Sequence, residues 1–126
     1  MTRSKILVTG ASGFVGASIL KALVGAGVDA VGLVRSDRLG DAEGYPVRQI
    51  PLWDETHLIK ALEGVDRVVH AASVVHRPDA HLNEYRQFNI EGTRVLVRAC
   101  RQKTVSRLLY LSSIKVYGEM TPDVLD

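Results

Sequence analysis

The sequence predicts an α/β fold, with five strands in one mostly parallel sheet ordered 3-2-1-4-5 and helices on both faces. Three observations predict it. Short apolar runs of strand length alternate with segments whose apolar residues recur at helical spacing. A glycine-rich turn joins the first strand directly to the first helix. No repeat, low-complexity tract or linker interrupts the 126 residues, so the alternation describes one domain spanning 1–126.

Ile6, Leu7 and Val8 form a continuous apolar run, the pattern of a parallel strand buried on both faces. After the turn, Phe14, Val15, Ile19, Leu20, Leu23 and Val24 recur at helical spacing, and Gly25 and Gly27 close that helix. Val28 to Val34 is the second strand, with Gly32 as a packing compromise inside it, and Arg35 to Gly44 reads as a polar connection. Val47 to Ile50 is a third strand, stopped by Pro51. Asp54 is a good N-cap for a helix carrying Leu58, Ile59, Ala61 and Leu62, which Gly64 ends. Val65 to His70 is the fourth strand, followed by a loop holding Pro78. A long helix covers Leu82 to Gln102, with Phe88, Val95, Leu96, Ala99 and Cys100 expected on its buried side, and Leu108 to Leu111 is the fifth strand. Right-handed crossovers then bring every strand's C-terminal end to one edge of the sheet.

Composition excludes several classes. The chain is 46% hydrophobic and 24% charged with a net charge of +2, so neither disorder nor a nucleic-acid partner is indicated. The single cysteine, Cys100, permits no internal disulfide and reads as a buried, inert thiol. No apolar run approaches the ~18 residues that a membrane span needs, and a cytoplasmic location without membrane contact is expected. The four histidines show no metal-ligand spacing, and no metal is expected.

The strongest chemical signal is Thr9-Gly10-Ala11-Ser12-Gly13-Phe14-Val15-Gly16, which leaves a strand and opens a helix. Gly10 permits the tight turn, Gly13 lets backbone approach a pyrophosphate, and Gly16 permits close packing of helix on sheet. Phosphates would meet backbone N–H groups and the positive end of the helix dipole. This is a Rossmann-type dinucleotide site, with Ser12, Phe14 and Val15 of the same loop beside the ligand. At the end of the second strand stands Arg35, with Ser36 and Arg38 nearby. An arginine offers a charged, planar fork to a 2′-phosphate, so NADP is expected over NAD. Asp37 reaching the ribose, or Arg35 stacking on adenine, are the competing readings. His70 reads as a packed histidine rather than a catalyst.

With Asp66 to Ala72, Asn89-Ile90-Glu91-Gly92-Thr93 and Ser112-Ser113-Ile114-Lys115-Val116-Tyr117-Gly118, the glycine loop resembles the extended short-chain dehydrogenase/reductase superfamily. The nucleotide-sugar epimerases and dehydratases are the nearest pattern. The resemblance implies that Gly10, Gly13 and Gly16 hold the pyrophosphate and that Ala71, Ala72 and Ser73 line the cofactor. It implies that Asn89 secures nearby backbone and that Ser113 is the catalytic hydroxyl, hydrogen-bonded to the substrate oxygen. His76, Arg77 and Lys115 become candidate substrate contacts. Relatives often carry an acidic residue near Pro51 for the adenine amino group; here Leu52, Trp53 or backbone would take that role. Val75 stands where some sugar epimerases have a lysine.

The implied activity is reversible hydride transfer on a nucleotide sugar. A carbonyl reductase acting on a small ketone and a non-catalytic dinucleotide-binding module are the alternatives, and self-association into a homo-oligomer is a structural reading beside them. No Tyr-x-x-x-Lys follows Ser113, the pair implied for acid/base chemistry. The 126 residues are therefore expected to be an N-terminal, cofactor-binding part, inactive alone.

Overall fold

The computed structural model describes residues 4–35, 38–73 and 82–113. Five strands, β1 (Lys5–Thr9), β2 (Ala30–Arg35), β3 (Val47–Ile50), β4 (Val65–His70) and β5 (Arg107–Tyr110), form one sheet in the order β3-β2-β1-β4-β5. Every neighbouring pair is parallel. The predicted architecture is the observed one.

Side-chain alternation divides the core into two layers. Leu7, Leu33 and Val68 point to the face covered by helices α2 (Glu55–Ala61) and α4 (Gly92–Gln102), where they pack with Leu58, Leu62, Leu96 and Ala99. Ala30 and Val34 point to the other face, beneath α1 (Phe14–Gly25), and meet Ala11 and Leu20. Gly32 is explained here: a Cβ added to it would lie 2.6 Å from Ala11 Cβ and 2.9 Å from Leu20 Cδ2. The bare backbone lets α1 pack closely on β2.

Three local expectations change. Phe14 and Val15 belong to the helical pattern of α1 but are 81% and 53% exposed; the helix buries Gly16, Ala17 and Leu20 instead. The connection after β2 contains a 3₁₀ turn, Gly40–Ala42, whose Ala42 is fully buried against the α1 layer. The expected helix over 82–102 exists in three pieces: α3 (Leu82–Tyr85), a π-helical turn (Arg86–Glu91) and α4. The wider turn offsets Phe88 from the face on which Leu96, Ala99 and Cys100 are buried.

Asp54 caps α2 as expected, accepting a hydrogen bond from the His57 N–H at 2.8 Å. Burial raises the Cys100 thiol to about 11, in keeping with an inert core residue. Among the described residues no helix is long and apolar enough to cross a membrane, and none of them cluster as a metal site.

Candidate dinucleotide site

The strand register brings three chain exits side by side. Thr9, the last residue of β1, pairs with His70, the last of β4, and His70 pairs with Tyr110, the last of β5. The segments that follow, the glycine loop, Ala71–Ser73 and Leu111–Ser113, therefore leave the sheet along one edge. This is the edge where parallel α/β sheets bind ligands.

A cavity of about 910 Å³ opens at this edge. Its floor is the glycine loop, with Gly10, Ser12, Gly13, Phe14, Val15 and Gly16 all lining it. The backbone of Gly10 takes φ +66°, a conformation that favours glycine, and a Cβ there would lie 2.8 Å from the Ala72 backbone. A Cβ at Gly16 would lie 2.1 Å from the Gly10 carbonyl oxygen. At Gly13 the nearest atom would be 3.5 Å away, so the fold itself leaves room there. No side chain caps the N-terminus of α1, and no acidic residue occupies its first turn. The helix thus presents N–H groups and a positive dipole end without a built-in anion. This donor set fits a pyrophosphate.

One wall carries Arg35 and Arg38, together with Leu33 and Val34, which sequence reasoning did not select. The opposite wall is Ala71, Ala72 and Ser73. Pro51, Trp53 and Phe88 complete the cavity. Trp53 is fixed by its indole N–H, which donates to the Gly92 carbonyl at 2.9 Å, and its ring lies 5.6 Å from that of Phe88. Gly92 makes room for it, since a Cβ there would come within 3.3 Å of Trp53 Nε1. Phe88 was expected in the core; no sequence signal marks the π turn that places it at the cavity.

Three expected residues are not brought to the cavity lining. Leu52 is 60% exposed and lies outside it, leaving the indole of Trp53 as the aromatic surface of that segment. Asn89 sits in the π turn and does not line the cavity; its carbonyl accepts from the Thr93 hydroxyl at 2.7 Å. Ser113 is exposed just beyond β5, also off the lining. Ser36, His76, Arg77 and Lys115 lie outside the described residues.

His70 is buried at the base of the site, only 3% exposed. Its Nδ1 lies 2.7 Å from the Thr9 hydroxyl and its Nε2 3.1 Å from the Thr93 hydroxyl. The rings of Trp53 and Tyr110 flank it at 5.9 and 5.8 Å. Burial lowers its pKa to about 4, so it is neutral at physiological pH. It is a packed, hydrogen-bonded histidine, as its sequence position suggested.

The fold and this cavity define a dinucleotide-binding α/β domain. The model of the NAD dependent epimerase/dehydratase family matches residues 6–125, and the chain belongs to that family. It is 33% identical to the 2-alkyl-3-oxoalkanoate reductase of Stenotrophomonas maltophilia over 122 residues, 95% of this chain and 36% of that protein. A short-chain dehydrogenase/reductase superfamily protein from Agrobacterium tumefaciens, solved with bound NAD, is 32% identical with a TM-score of 0.80; the match covers 96% of this chain and 36% of that one. MoeE5 in complex with UDP-glucose and NAD is 30% identical with a TM-score of 0.77, covering 93% and 39%. The chain spans about a third of the length of the curated relatives it matches.

These structures correct the expectation of NADP, for both hold NAD. The physical reason lies in what Arg35 touches. Its guanidinium carbon sits 5.0 Å from the centroid of the Phe88 ring, a cation–π contact within the chain. An arginine already stacked on an aromatic face is no signature of a 2′-phosphate.

Proposed function

We propose that residues 1–126 form the NAD-binding part of an oxidoreductase of the epimerase/dehydratase type. One observation carries the reading: a single cavity gathers the glycine loop, the end of β2 and the wall after β4. Bound there, NAD would supply a hydride acceptor. The chain's own contribution is to hold and orient it. Backbone N–H groups at the start of α1 would meet the pyrophosphate, and the Ala71–Ala72 backbone would lie against the dinucleotide without side-chain bulk. Trp53 and Phe88 would provide the apolar faces at the adenine end. The described residues that line the cavity thus bind and orient the dinucleotide.

For the substrate of the enzyme we favour a nucleotide sugar, supported by the likeness to MoeE5, which was solved with UDP-glucose. Reduction of a small ketone is the second reading, supported by the likeness to the 2-alkyl-3-oxoalkanoate reductase. Ser113 stays the proposed hydroxyl for the reacting oxygen in either case, and the cell compartment proposed is the cytoplasm.

Calorimetric titration of the chain with NAD and NADP at fixed ionic strength tests the cofactor reading. Saturable binding of NAD, tighter than that of NADP, is expected, with quenching of Trp53 fluorescence as a second signal because Trp53 is the only tryptophan. Absence of saturable NAD binding by a folded chain would overturn it.

A further inference from the structure

The hydrogen bonds around His70 have only one consistent direction. The Thr9 hydroxyl oxygen accepts from the N–H groups of both Ala71 and Ala72, each at 3.0 Å. Its one proton is left for His70 Nδ1, 2.7 Å away, which must therefore accept and carry no proton. At the far side the Thr93 hydroxyl donates to the Asn89 carbonyl, an oxygen with no proton to give. Its oxygen is then the acceptor for His70 Nε2–H. The two ends are independent, and both demand the neutral Nε2–H form.

This chain runs through the parts that make the cavity. Thr9 immediately precedes Gly10, and the backbone of Ala72 presses on Gly10 so closely that a Cβ on Gly10 would lie 2.8 Å from it. His70 immediately precedes Ala71, and its carbonyl accepts from Leu111 N–H at 3.2 Å where β5 leaves the sheet. Thr93 lies in the first turn of α4, just after the π turn that carries Phe88 to the cavity. An apolar residue at position 70 would fill the space but would tie none of these together. A buried imidazole is tolerated because both ring nitrogens are bonded.

Resting on the NAD reading above, we infer that His70 and Thr93 are positioning residues for the dinucleotide. A one-way relay, Thr9 to His70 to Thr93 to Asn89, fixes the Ala71–Ala72 wall relative to the glycine loop and the π turn. The wall is thereby set before the ligand arrives, so less ordering accompanies binding.

Thr93→Val keeps the shape and branching of the side chain but removes the acceptor of His70 Nε2–H; Thr93→Ser keeps the hydroxyl. NAD affinity is expected to fall about tenfold in Thr93→Val, in line with one lost buried hydrogen bond. Thr93→Ser should recover to within about twofold of the wild type. Equal affinity in Thr93→Val and wild type, with Thr93→Val folded, would overturn the inference, since a merely structural tie changes stability and not affinity. Long-range ¹H–¹⁵N correlation spectra of the wild-type imidazole provide a reading that needs no variant. The proton should reside on Nε2, and saturating NAD should slow its exchange with solvent. A proton on Nδ1, or an Nε2–H exchange rate untouched by bound NAD, would equally overturn it. Failure of the wild type to bind NAD would sink the function reading, and this inference with it, whereas the tautomer is read without ligand.

Discussion

A Cβ on Gly16 would sit 2.1 Å from a backbone oxygen, whereas one on Gly13 would meet nothing nearer than 3.5 Å. Gly13 also has an ordinary extended backbone, with φ −93° and ψ 174°. The two glycines of one motif therefore answer to different constraints, one to the fold and the other to whatever fills the cavity. Gly16→Ala should destabilise the chain by about 1–3 kcal/mol, the cost of overpacking against rigid backbone. Gly13→Ala should leave stability within about 1 kcal/mol, since the substitution is unstrained, yet weaken NAD binding at least tenfold. Urea unfolding paired with NAD titration checks both, and an equal loss of stability in the two variants would show the whole loop to be structural. At this scale the sequence was legible where spacing encodes backbone geometry, as in the glycine loop. It was not legible at Arg35, because a charge in a sequence does not say whether phosphate or the Phe88 ring will face it.

Elements were legible wherever apolar periodicity matched burial. All five strands were expected from the sequence, and Asp54 marked the start of α2. The 3₁₀ turn at Gly40–Ala42 escaped because its stability comes from tertiary contact: Asp41 N–H reaches the Ser12 carbonyl at 3.3 Å, and Gly40 fits against Ser12 only for want of a side chain. The π turn escaped because one extra residue in a helix leaves no compositional mark. The end of α4 carries its own test. Val105 N–H bonds to the Cys100 carbonyl at 2.9 Å and Thr104 N–H to that of Arg101 at 3.2 Å, a Schellman closure. The residue in the left-handed position is Thr104, at φ 54°, the only described non-glycine residue with positive φ. A β-branched side chain there costs about 1–2 kcal/mol, partly offset in glycine by a freer unfolded chain. Thr104→Gly should therefore stabilise the protein by about 0.5–1 kcal/mol in chemical unfolding. A variant no more stable than wild type would show that the Thr104 hydroxyl, bonded to the Lys103 carbonyl at 2.7 Å, outweighs the strain.

For the whole molecule, the strand order was legible because a parallel α/β alternation with right-handed crossovers leaves few topologies. The coupling of the fold to pH was not, since it depends on how deeply one histidine is buried. His70 has a folded pKa of about 4 against 6.5 for a free imidazole. The unfolded chain therefore takes up this proton first as pH falls. The contribution of neutral His70 to stability is fully present above pH 6.5 and is lost progressively as pH drops towards the folded value. At about 1.36 kcal/mol per unit the complete loss is about 3 kcal/mol, and roughly 2 kcal/mol of it should be gone by pH 5. Exposed carboxylates act in the same direction but lower on the scale. Asp54, held down first by the His57 N–H, Glu63 by Lys103 and Asp66 by the Ser4 hydroxyl, lose their contributions as pH falls from the usual carboxylate range through their depressed values. The interval from pH 7.5 to 5 thus isolates imidazole titration from theirs. Urea unfolding across that interval at constant ionic strength should show stability falling towards pH 5. In His70→Phe, whose ring can remain between Trp53 and Tyr110, the part of that slope due to His70 should vanish whatever the variant's absolute stability. An unchanged slope in His70→Phe would mean that the buried imidazole protonates as easily folded as unfolded, and the relay that fixes its neutral form would have no energetic substance.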